Sequence, residues 1–218
     1  MAGTTTAMCT QFKQDILQGK HCFNATITKT GDTHTNQVID NLSNITGLAV
    51  GMGMSGTGIA ANTVIARFLS STSIEPSKAT TATNAGVTFT FNGDAFKAAL
   101  IKVGPTGTYG AASVNYSDIT GNSDEVSGTG YTAGGIALTN VTPTTSGTTA
   151  FTDFQDVSWT SASFSTTATM LYNTSQRGET ANRAVSTHDF GGTQTVTAGT
   201  FTLVFPTPDA SNAILRIA

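Results

Sequence analysis

The sequence predicts an all-β protein: an antiparallel β-sandwich of jelly-roll or Ig-like type, with an N-terminal helix and a β-rich insertion. Three observations predict it. Only 11% of the 218 residues are charged, while Thr, Ser and Gly are used heavily, the composition of short strands joined by tight turns. Apolar and polar residues alternate with period two, as where Phe201, Leu203 and Phe205 interleave with Thr200, Thr202 and Val204, so one strand face is core. Turn signals such as Gly104-Pro105, Gly121-Asn122 and Gly191-Gly192 recur at about the 8–12-residue spacing of a sandwich or barrel.

In chain order, a helix comes first. Thr6 is placed to cap it, and Met8, Phe12 and Ile16 fall on one face with Cys9 and Leu17 beside them. Gly19 suits the position after its end, and Lys20 and His21 suit the negative end of the helix dipole. A strand follows over Phe23–Lys29. The predicted strands of the body are Phe96–Val103, Ser113–Ile119, Ile136–Val141, Phe151–Trp159, Ser163–Asn173, Arg183–Phe190, Gly199–Phe205 and Asn212–Ile217. Trp159, the single tryptophan, is expected at the centre of the core.

The run Thr26–Thr35 is echoed by Thr88–Lys97, each a strand followed by Gly-Asp. The chain between them reads as an insertion of several strands with Gly-rich turns. The expected organisation is residues 1–32 (helix and first strand) as part of the main domain, 33–91 as an inserted β-rich subdomain, and 92–218 as the main sandwich.

The stretch around which the body is organised is Asp124–Gly135, with Gly128, Gly130, Gly134 and Gly135 around Tyr131. Glycines allow repeated positive φ, and Tyr131 is expected to pin the loop to an edge of the core. This stretch, together with Asp156–Trp159, His188–Gly192, Ala198–Pro206 and Asn212–Ile217, resembles a family of tailed-bacteriophage virion structural proteins. The resemblance covers roughly the last 125 residues and the N-terminal helix. It implies a virion component, foremost a capsid decoration (cement) protein on the outer capsid surface that stabilises the shell. A head fibre, neck or tail component with a receptor- or carbohydrate-binding role is the alternative. The implied partners are the major capsid protein and further copies of the chain, commonly as a trimer.

No residue set predicts catalysis, a cofactor or a metal. Gly51-x-Gly53-x-x-Gly56 spells a dinucleotide fingerprint, but no repeated βαβ pattern accompanies it, so it reads as a turn between strands. His21, His34 and His188 are scattered, without zinc-like spacing to Cys9 or Cys22. His188-Asp189 invites an acid–base reading, yet neighbours on a strand point to opposite faces. Asp124, Glu125, Asp153 and Asp156 lack an EF-hand spacing and read as solvated turn residues.

The formal charge of −3 and the absence of a basic stripe argue against a nucleic-acid surface. Met1–Thr6 lacks the features of a signal peptide, and Gly47–Leu69 is too polar to span a membrane, so synthesis in the host cytoplasm is expected. Cys9, Phe12, Ile16 and Cys22 are candidate inter-subunit contacts, on an N-terminal segment free to reach outward. An intact helix between Cys9 and Cys22 keeps those two from bridging each other. They are either buried small hydrophobes or links to neighbouring subunits.

Overall fold

The computed structural model describes residues 2–175 and 181–218. The protein is all-β, built from several antiparallel sheets, and divides into two compact units: Met1–His21 with Ala95–Ala218, and Cys22–Asp94.

The main unit opens with two short strands, β1 (Gly3–Thr4) and β2 (Ala7–Met8), and the helix α1 (Thr10–Leu17). The helix starts later than predicted. Met8 pairs with Ser186 and Ala7 with Thr187, and the Thr6 hydroxyl accepts the Asp189 N–H, so these residues serve the sheet and Cys9 takes the cap position. The buried helix face is Phe12 and Asp15; Ile16 is half-buried, and Leu17 is 88% exposed. Gly19 has φ +69 after the helix end, where a left-handed residue was expected.

The second unit contains β3 (Ile27–His34), β4 (Ile39–Asp40), β5 (Gly53–Ser55), β6 (Thr63–Ser70), β7 (Ser73–Pro76) and β8 (Thr83–Asn92). They close into a barrel in the order β3-β4-β7-β6-β5-β8. Ile39, Met52, Met54, Ile65, Ile74, Phe89 and Phe91 fill its interior. This unit exceeds the predicted 33–91 insertion at both ends. The first strand is a stave of the barrel, paired with β8 from Ile27↔Phe91 to His34↔Thr83, and not the edge of the main sandwich. Closure requires that stave, since a barrel leaves no edge. The two chain ends meet where Asp94 N–H donates to the Cys22 carbonyl at 2.7 Å and Cys22 N–H donates to the Asp94 carboxylate at 2.9 Å.

The main unit resumes with β9 (Phe96–Lys102), β10 (Thr108–Tyr109), α2 (Ser117–Gly121), β11 (Ile136–Leu138), β12 (Asn140–Ser146), β13 (Thr149–Phe154), β14 (Val157–Asn173), β15 (Arg183–Leu203) and β16 (Leu215–Ile217). One sheet has the order β11-β9-β14-β15-β2, a second the order β12-β13-β16, and β1 pairs with β10. Phe154 bridges the larger sheets, its ring 5.4 Å from Phe96 and 5.6 Å from Phe205.

Several predicted strands change. Phe23–Lys29 starts only at Ile27, and Asn212–Ile217 shortens to Leu215–Ile217, because Asp209 accepts the N–H groups of Ser211 and Asn212. Ser113–Ile119 contains the helix α2, because Asn115 accepts Ser117 N–H and Asp118 accepts Val114 N–H, local bonds that compete with a ladder. Ile136–Val141 and Phe151–Trp159 each break in two, and the halves join different sheets. The breaks meet, with Gln155 N–H donating to the Thr139 carbonyl at 2.9 Å; this is the corner at which the chain changes sheets. The predicted turn at Gly191-Gly192 is a bulge inside one continuous β15, with Gly191 at φ +74.

Candidate functional site

The best-organised part of the main unit is the Asp124–Gly135 stretch, fastened by all four tyrosines of the chain. Asp124 and Glu125 are neighbours, so in extended chain their side chains diverge, and each gathers its own donors.

Asp124 is fully buried. It accepts the N–H groups of Thr106 and Gly107, the latter at 2.7 Å, and the Tyr109 hydroxyl at 2.6 Å; Lys102 Nζ lies 3.0 Å away. Burial alone would raise its pKa. The donors outweigh burial and hold the carboxyl well below its ordinary value. Burial, then the Asp124 carboxylate, pushes the Tyr109 phenol up to about 12.

Glu125 accepts the Tyr131 hydroxyl at 2.8 Å, the Tyr116 hydroxyl, and Gly134 N–H at 2.7 Å. The Tyr172 hydroxyl donates to the Gly134 carbonyl at 2.6 Å, and its ring stacks on Tyr116 with centroids 4.6 Å apart. Burial and the Glu125 charge raise Tyr116 and Tyr131 above the ordinary phenol value and Tyr172 to about 12. Gly135 shows why the loop needs glycine. It has φ +70, and a Cβ there would lie 1.9 Å from the Ala98 carbonyl oxygen, an approach no other residue permits.

Tyr131 meets the expectation of an anchor. Its hydroxyl also accepts Leu100 N–H at 3.0 Å, and its ring lies 6.2 Å from Trp159 and 5.9 Å from Phe164. Trp159 is buried, as expected, 5.7 Å from Phe201, which is 6.2 Å from Phe190. Burial of one tryptophan of this kind is worth up to about 4–6 kcal/mol.

The other predicted residues lie apart from this cluster. Cys9 is buried, its thiol directed at the Gly110 carbonyl at 3.7 Å and its pKa pushed up to about 12 by burial. Phe12 is buried 4.7 Å from the His21 ring, and Cys22 is buried in the barrel unit. Of the candidate contacts, only Ile16 retains partial exposure. Sequence reasoning missed Asp15, which is buried and accepts Gln11 Nε2 at 2.9 Å, with Lys20 Nζ and Arg183 Nε each 3.7 Å away.

His188 and Asp189 form no acid–base pair. His188 Nε2 is 2.8 Å from Ser186 Oγ, and burial drives its pKa down to about 4; Asp189 instead accepts Gly191 N–H. His34 pairs with Asp40 at 2.7 Å on the surface of the barrel unit. The run Gly51–Gly56 contains β5, paired with β8 and β6, so it is in part a strand and not the turn expected, and β6 follows where a dinucleotide site requires a helix. Asp153 accepts the N–H groups of Phe154 and Ile214, and Asp156 that of Phe205. Asp124 and Asp153 are buried, where solvated turns were expected. Among the described residues no group of three His, Cys, Asp or Glu is arranged to hold a metal, and no helix is long and apolar enough to cross a membrane.

No family model matches the chain, and no curated protein or solved structure matches it significantly.

Proposed function

We propose that this chain is a structural protein of a phage virion that binds the outer capsid surface as a decoration protein and stabilises the shell. One observation carries the reading. Four of the five pieces of sequence that resemble the virion proteins meet in space: Tyr131 from the first, Trp159 from the second, Phe190 from the third and Phe201 from the fourth form a continuous chain of ring contacts. The resemblance therefore falls on a framework of mutually packed residues. Its titratable groups are spent on structure, since Asp124 and Glu125 are filled by backbone and phenol donors. Such a protein acts through contact area, with the major capsid protein and copies of itself as partners. The charge-poor, hydroxyl-rich composition suits surfaces covered by neighbours, and gives no basis for nucleic-acid or membrane partners.

Quantitative mass spectrometry of purified virions tests the reading, together with heating of particles that lack the protein. Copies comparable in number to the major capsid protein, and rupture at lower temperature without it, are expected. A handful of copies, or deletion particles that withstand heat and fail only to infect, assigns the protein to a fibre, neck or tail with a receptor-binding role.

A further inference from the structure

The five-stranded sheet ends on a strand whose outer edge is largely uncovered. β2 pairs with β15 at Ser186 and Thr187 and stops there; among the described residues no other strand lies on that side of β15. Exposed edges are templates for pairing with another chain, and proteins blunt them with charges, proline or bulges. The first part of the β15 edge is blunted by bulges. Its register with β14 shifts between Thr166 and Ala168 and again between Ala162 and Phe164, and Gly191 and Ala198 take positive φ.

After Ala198 no bulge on β15 protects the edge. Thr200–Phe205 reads Thr-Phe-Thr-Leu-Val-Phe, and no charged residue occurs from Phe190 to Pro208. Strong β-formers without charge, Pro or Gly are the signature of a self-pairing segment. Thr200 and Thr202 are exposed, and Val204 is 68% exposed.

We propose that the outer edge of β15 over Gly199–Leu203 is a homotypic interface, pairing antiparallel with the same edge of a second copy across a two-fold axis at Phe201. The chemistry favours a second copy. The partner must present an extended, uncharged edge, and the other edges of this unit do not: β12 carries Pro143, β11 is three residues long, β16 is three residues long and carries Arg216, and β1 and β10 have two residues each. With the two-fold at Phe201, self-pairing opposes no like charges and sets Thr200 across from Thr202 of the second copy, a favourable cross-strand pair. Such an isologous contact closes on itself as a dimer. The argument uses neither the resemblance nor the capsid reading, and it is tested without particles.

Sedimentation of the purified full chain over rising concentration reads the assembly. The expected mass is twice that of the 22.3 kDa chain, with amide exchange at Gly199–Leu203 slowing as concentration rises. Thr200→Lys and Thr202→Lys each place like charges on diagonal cross-strand neighbours beside the two-fold, at exposed positions. Each is expected to return the mass to a single chain with an unchanged circular dichroism spectrum. A wild-type chain that stays monomeric overturns the proposal. So does a mass of three chains, or a folded lysine variant that keeps the wild-type mass; if both variants misfold, concentration-independent exchange in the wild type overturns it.

Discussion

The Tyr131 hydroxyl stands between two groups: it donates to Glu125 Oε1 at 2.8 Å and accepts Leu100 N–H at 3.0 Å. It ties the glycine loop to β9 and supplies one of three donors to the Glu125 carboxylate. Tyr131→Phe keeps the ring against Trp159 and Phe164 but leaves the Leu100 N–H and Glu125 each short of a bond. The expected cost is about 1–3 kcal/mol, read as a lower denaturation midpoint with an unchanged slope. A variant as stable as wild type would show that the hydroxyl is dispensable and the ring alone anchors the loop.

The same cluster sets opposite stability limits in acid and alkali. Folding holds Asp124 below the ordinary carboxylate value of about 3.9, so its contribution is whole above that value and lost as pH falls through the folded pKa. The phenols shift the other way. Tyr109 and Tyr172 rise to about 12, and Tyr116 and Tyr131 also rise. Their contribution is whole below about pH 10 and is lost as pH rises through the folded values. In an alkaline titration followed by tyrosinate absorbance, phenolate is expected to appear together with loss of near-ultraviolet dichroism. A tyrosine that ionises near pH 10 in the folded protein would contradict this. Asp124→Asn should flatten the acid limb.

Two glycines separate backbone conformation from crowding. Gly135 and Gly147 have φ of +70 and +58, but a Cβ on Gly135 meets the Ala98 carbonyl, whereas one on Gly147 meets nothing within 4 Å. Gly147→Ala is expected to cost about 1–2 kcal/mol, the left-handed penalty alone. Gly135→Ala must also displace β9 or the loop, so its thermal midpoint should fall well below that of the Gly147 variant. Equal losses would mean that the loop yields without cost.

Much of this architecture is legible in the sequence because it is local. The period-two pattern at Phe201–Phe205, the glycines around Tyr131 and the left-handed Gly19 each announce themselves within a few residues. The cluster around Glu125 does not, since Tyr172 reaches Tyr116 and the Gly134 carbonyl only after β14 has returned beside β9. The sheet change at Thr139 and Gln155 is equally silent, because a strand alternates in the same way whichever sheet it enters. The buried helix face departs from the pattern for a related reason: Asp15 counts as polar in any pattern, yet Gln11, Lys20 and Arg183 surround it within the fold. The unit of the first strand is not legible in its sequence, because its alternation fits sandwich and barrel alike and only its ladder with β8 decides.

The closing contact of the barrel makes the two units separable in principle. Cys22 and Asp94 exchange hydrogen bonds at 2.7 and 2.9 Å, so the chain enters and leaves the barrel at one place. The barrel has its own core, from Ile39 to Phe91. To the main unit, Cys22–Asp94 is a connection between His21 and Ala95. Loop-closure entropy changes only by about 0.6 kcal/mol per doubling of length, so replacing the barrel with a short Gly-rich turn removes no ladder of the main unit and slightly eases closure. The shortened chain is expected to unfold in one cooperative transition and keep the alkaline resistance of its tyrosines, all four of which lie outside the barrel. The excised barrel, Cys22–Asp94, is expected to give dispersed amide resonances on its own. A shortened chain whose tyrosines titrate near the ordinary phenol value of about 10 would show that the main unit requires the barrel to fold.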